Sequence, residues 1–148
     1  MIWRKKKTII PIRIVELEDN GIHIVCQNTK EPDLWWIIDT GASSSVVDQS
    51  YAEKVEITYG NSLLVLKGLT EETMNSEHGY LKEIDLGNDT FYHVRVAVMM
   101  LDHIQQIYDE NTDLKICGII GCDFLTAQEA VIDLHKQNII IKKHNVKH

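Results

Sequence analysis

The chain has 148 residues, enough for one domain with a sizeable core and too few for two ordinary ones. Hydrophobic residues make up 44% and charged residues 25%, as in ordinary globular proteins. The formal net charge of -7 argues against nucleic acid as a main partner, because a phosphate backbone calls for a basic face. Two basic clusters, Arg4 to Lys7 and Lys142-Lys143 with His144, Lys147 and His148, read as solvated tails. Cys26, Cys117 and Cys122 cannot pair completely and contain no Cys-x-x-Cys, so reduced thiols and a cytoplasmic location are expected. No apolar run approaches the ~20 residues of a membrane span, and no signal-peptide stretch opens the sequence; no membrane partner is expected.

In chain order, the signals are short and frequent. Thr8 to Leu17 alternates around Ile10, Ile12, Ile14 and Leu17, and Asn20-Gly21 marks a tight hairpin turn before Ile22 to Gln27. Leu34 to Ile38 is a continuous apolar run that reads as a strand buried on both faces. Ser45 to Val47 is a short strand, and Gln49 to Lys54 suits one or two helical turns with Asp48 or Ser50 as cap. Leu63 to Leu66 and Tyr80 to Leu86 read as strands around a polar segment, Lys67 to Gly79. Phe91 to Leu101 is a strand with Val94, Val96 and Val98 on one face, and Met99-Met100 reads as core filling. Asp102 to Tyr108 is expected as a short surface helix, Ile116 to Ile120 as a strand and Asp123 to Gln128 as a short helix capped by Asp123. Val131 to Leu134 and Asn138 to Lys142 complete the strands, and the whole indicates a single domain with a small all-β barrel.

Two patterns carry chemistry. Ile37-Ile38-Asp39-Thr40-Gly41-Ala42-Ser43 places an acid, a hydroxyl and small residues at the end of a buried strand. Far downstream, Ile119-Ile120-Gly121-Cys122-Asp123 repeats two apolar residues before a glycine. Together these resemble the two signatures of retropepsin-like aspartic proteases, over most of the chain, roughly residues 8–142 of one domain spanning 1–148. The resemblance implies an all-β fold, a closed small barrel with one or two short helices, and an endopeptidase that needs no cofactor or metal. It implies Asp39 as the catalytic residue, Thr40, Gly41 and Ala42 shaping its loop, and Ile119, Ile120 and Gly121 supporting that loop. In that family the threonine braces one lobe against the other.

The chemistry explains the residue types. Amide hydrolysis by this route holds a water between two carboxylates, one taking the water's proton and the other hydrogen-bonding the carbonyl oxygen. A rigid strand fixes the acid, and glycine lets the loop pass close to its neighbours. Many relatives carry Ser or Thr where Ala42 stands; without that hydroxyl the pair is expected to work nearer neutral pH. Asp-Thr-Gly occurs once, Asp89-Thr90 being followed by Phe91, so the second carboxylate is expected from another copy in a symmetric homodimer.

Such an enzyme needs a lid over its peptide or protein substrate. Lys67 to Gly79 is the candidate flap, with Gly68 and Gly79 as hinges, and its Glu71, Glu72, Asn75 and Glu77 depart from the glycine-rich flap of retroviral relatives. The alternative reading is a catalytically silent barrel serving as a peptide-binding or dimerisation module. Trp35 and Trp36 read as packing residues. His23, His78, His93, His103 and His135 lack metal-ligand spacing and read as ordinary core or surface residues.

Overall fold

The computed structural model describes residues 5–59 and 77–144. Ten strands are present: β1 (Lys5–Glu16), β2 (Ile22–Gln27), β3 (Leu34–Ile38), β4 (Val46–Asp48), β5 (Ile57–Tyr59), β6 (Glu77–Leu86), β7 (Asp89–Met99), β8 (Lys115–Ile120), β9 (Val131–Asp133) and β10 (Asn138–His144). Among the described residues three α-helices accompany them, α1 (Gln49–Ala52), α2 (Asp102–Asn111) and α3 (Cys122–Ala127). They fall at the three segments where the sequence indicates helical turns.

The strands form one sheet in the order β5-β6-β7-β4-β8-β3-β2-β1-β10-β9. It is not closed into a barrel: β5 pairs only with β6 and β9 only with β10 among the described residues. Each of these edge strands has three residues, too short a ladder to carry the sheet round to its far edge. Within the basic clusters, Lys5 to Lys7 and Lys142 to His144 are strand residues rather than tails, since β1 and β10 pair from Lys5↔His144 and Lys7↔Lys142 inward to Pro11↔Asn138. β9 and β10 form an antiparallel hairpin at one edge of the sheet.

Core burial occurs on both faces of the sheet. Ile10, Ile12, Trp36, Ile38, Phe91, Phe124 and Leu125 belong to one cluster; Val15, Leu17, Val25, Ile37, Leu101 and Tyr108 belong to another. Trp36, Ile37 and Ile38 alternate between the two clusters, so β3 is buried on both sides as its unbroken apolar run demands. β1 behaves differently. Ile10 and Ile12 face the first cluster, Val15 and Leu17 the second, and Ile14 is exposed. The period of two is kept throughout; what changes along the strand is the face that is covered.

α2 provides the second cover. It is longer than the surface helix expected: Tyr108 is fully buried, and Ile104 and Ile107 pack against the second cluster. Met99 and Met100 are exposed rather than core-filling: Met99 ends β7, still paired with Asp48, and Met100 follows it before α2 begins. Asp48 joins these parts: it caps α1 by accepting from the Ser50 amide, and its other oxygen accepts from the Leu101 amide at 2.8 Å. Trp36 packs edge-on against Tyr51 of α1, in keeping with its expected packing role.

Candidate active site

Asp39 emerges directly from the buried end of β3. That strand lies between β2, antiparallel, and β8, parallel, with Ile37↔Ile119 and Ile38↔Ile120 in register. The apolar pairs of the two sequence patterns therefore stand side by side, although about eighty residues separate them. The Asp39 amide donates to Ile120 O at 2.9 Å, which continues the ladder one step past the strand.

β4 pairs with the other edge of β8, through Val46↔Ile119 and Val47↔Gly118. Since β3 and β4 flank β8, the connecting residues 39–45 must cross the end of β8. Gly118 and Gly121 make that crossing fit. A Cβ on Gly118 would lie 2.3 Å from Val46 O and 2.4 Å from the Trp36 ring, and one on Gly121 would lie 2.7 Å from Ala42 O. Gly121 was legible from its pattern; Gly118 was missed, although a glycine inside an apolar strand is the ordinary signal of close backbone approach.

The loop is clasped by a small polar network. Ala42 N donates to Asp39 O at 3.1 Å, and Cys122 N donates to Ala42 O at 2.7 Å. Ser45, 2% exposed, donates its hydroxyl to Asp123 Oδ1 at 2.8 Å and its amide to Asp123 Oδ2 at 3.1 Å. Gly121 N donates to Ser45 Oγ at 2.9 Å, and Phe124 N to Asp123 Oδ1 at 2.8 Å. Asp123 is thus a tether between the two patterns rather than the expected helix cap; Gly121 occupies the N-cap position of α3. Ser45 had no role in the sequence reading, because its partner is 78 residues away. Charge-assisted bonds of this kind are the stronger class, and Ser45 is too buried to exchange them freely for water.

The acid itself is presented outward. Asp39 is exposed, and Gly41 N donates to its Oδ1 at 2.9 Å. A side chain at Gly41 would start 3.2 Å from that same oxygen. Thr40 is exposed, and its hydroxyl has no hydrogen-bond partner among the described residues. Ala42 is half-buried under the clasp, Ile120 is buried and Ile119 half-buried beneath the loop.

Of the flap candidates, Gly79 lies within β6, in register with Tyr59 and Val96, where a Cβ would meet Thr58 O at 2.8 Å. Glu77 begins the same strand. Gly68, Glu71, Glu72, Asn75 and the expected strand Leu63 to Leu66 lie outside the described residues.

Comparison with known proteins places this geometry. Across the fold, the chain is similar to a retropepsin-like aspartic protease from Rickettsia conorii, at 15% identity and a TM-score of 0.51, covering 100% of this chain and 99% of that one. It is 24% identical over 116 residues to the retrovirus-related Pol polyprotein from transposon 412 of Drosophila melanogaster. That match covers 77% of this chain and 8% of the polyprotein. The family model described as aspartyl protease matches residues 25–124, which include Asp39, the clasp and both glycine crossings. The chain belongs to the aspartyl protease family, and its fold is similar to that of a retropepsin-like member.

Proposed function

We propose that the chain is an aspartic endopeptidase that works as a symmetric homodimer, with Asp39 of each copy forming the catalytic pair. The observation that carries this reading is the outward-facing Asp39 carboxylate on a loop anchored to a strand buried on both faces. One carboxylate alone does not suffice for the chemistry. A second copy related by a two-fold axis supplies the other with no new residue, because an isologous contact brings each position to its own equivalent.

In that pair, the ionised carboxylate takes a proton from the water as its oxygen attacks the peptide carbonyl. The protonated partner donates a hydrogen bond to the carbonyl oxygen and stabilises the charge that develops there. In this reading the exposed Thr40 hydroxyl bridges to the partner loop and steadies the neighbouring acid. The clasp through Ser45 and Asp123 keeps the acid from drifting, which matters because small displacements of a reacting group lower rates steeply. A reducing compartment such as the cytoplasm suits the three unpaired cysteines, two of them buried.

Solution mass measured together with cleavage of a broad peptide library tests the reading. A dimeric mass, turnover by the wild type and none by Asp39→Asn are expected. A chain that remains monomeric when concentrated and cleaves nothing would sink it. Peptide binding that survives Asp39→Asn without turnover at any stage would favour a silent binding module instead.

A further inference from the structure

Next to the active-site loop is a cavity of about 220 Å³ that does not include Asp39. Ser43, Ser44, His93, Arg95, Asp123 and Phe124 line it. Pockets that take whole small molecules start near ~300 Å³, so this volume suits a single side chain.

Its polar groups are not equivalent. The Asp123 carboxylate is already engaged by Ser45 N, Ser45 Oγ and Phe124 N. Arg95 is exposed and has no acidic partner among the described residues. The exposed hydroxyls of Ser43 and Ser44 are available as donors. His93 is stacked face to face on Tyr80, with centroids 4.1 Å apart and planes 2° from parallel. It also holds φ at 57°, in the left-handed region that non-glycine residues rarely occupy and that is over-represented at ligand sites. Exposed serine hydroxyls and a guanidinium without an acidic partner among the described residues thus line one cavity together with the largely buried Phe124.

The geometry points to a substrate subsite for an acidic side chain, glutamate above all, with Arg95 as the specificity-determining residue; this rests on the endopeptidase reading. Glutamate has methylenes to lie along Phe124 and a carboxylate that the planar guanidinium can grip with two parallel bonds. Ser43 follows Asp39 by four positions, at most ~14 Å of chain. An extended peptide advances ~3.4 Å per residue, so the glutamate sits roughly two to four positions from the scissile bond.

The test uses the full chain and peptides that differ only in Glu, Gln or Lys at those positions. For the wild type, kcat/KM for the Glu peptide should exceed that for the Gln peptide by roughly three- to tenfold, less at high salt. Arg95→Gln should erase this ratio, and Arg95→Glu should turn the preference towards Lys. Binding of the same peptides to Asp39→Asn, followed by fluorescence anisotropy, should carry the same ratio and the same dependence on Arg95. Turnover whose Glu-to-Gln ratio ignores Arg95→Gln overturns the subsite and leaves the endopeptidase standing. Arg95-dependent binding of Glu peptides without wild-type turnover keeps the subsite and overturns the endopeptidase. Absence of both binding and turnover overturns both.

Discussion

The two ends of β3 are built on opposite terms. At its start, the residue 28–33 turn is organised by Asn28, 2% exposed, whose amide donates to the Tyr51 hydroxyl at 2.9 Å and whose carbonyl oxygen accepts from Glu31 N at 3.2 Å. Backbone bonds between Asn28 N and Leu34 O, and between Leu34 N and Glu31 O, close that turn on itself. At the other end, Asp39 faces outward while the polar satisfaction is moved beneath it, to Ser45 and Asp123. A neutral amide closes the structural end, and an exposed acid marks the working end. The same strand therefore separates the structural end from the proposed catalytic end by only a few residues.

Substitutions at the two ends should separate in the same way. The largest effect expected is at the working end, where Asp39→Asn should lower kcat/KM by at least about 10³-fold. Its urea midpoint should stay near that of the wild type, since the side chain is exposed; a large stability loss would mean that the acid has a structural role. Between the two ends, Gly118→Ala should cost about 3 kcal/mol in chemical denaturation, because the new Cβ meets backbone and the Trp36 ring at once. A neutral result there would show that β8 can move aside.

Near the structural end, burial pushes the Cys26 thiol up to about 12 and raises that of Cys117 as well. A raised folded value favours the neutral thiol in the fold, so this stability is complete below pH 9. It is lost as pH rises from there through about 12, on the order of 2 kcal/mol by pH 11. Denaturation followed from pH 8 to pH 11 measures it, and a flat profile would count against burial of both thiols. Asn28→Ala should cost about 1–2 kcal/mol by stranding the Tyr51 hydroxyl and the Glu31 amide, with kcat/KM of the folded fraction unchanged. The smallest effect is Ala42→Ser. A hydroxyl beside the proposed catalytic pair would stabilise its ionised form, so the pH-rate profile should move towards acid; an alkaline movement would contradict that.

Much of the working end could be read directly. Asp39, its apolar lead-in and Ile119-Ile120-Gly121 are local patterns, and they come together in register as their chemistry requires. Ser45 could not be read, because a serine after a loop is ordinary until its partner 78 residues away is known. Asp123 reads locally as a helix cap, since sequence spacing favours near neighbours. Ile14 and Val15 show the same limit, as alternation places them on opposite faces without saying which face α2 will cover.

By itself, the sequence determined the properties that depend on a few adjacent residues: the period of the strands, the turns, a buried strand leading into an exposed acid, and one such acid per chain. The tertiary structure alone decided that the sheet stays open, that α2 completes a second core, that Asp123 serves Ser45, and that Arg95 borders a cavity beside the loop. The physical reason is one of range. Side-chain periodicity and backbone preference act over a turn or a strand, whereas sheet closure and polar pairing depend on segments far apart in sequence and brought together by the whole fold.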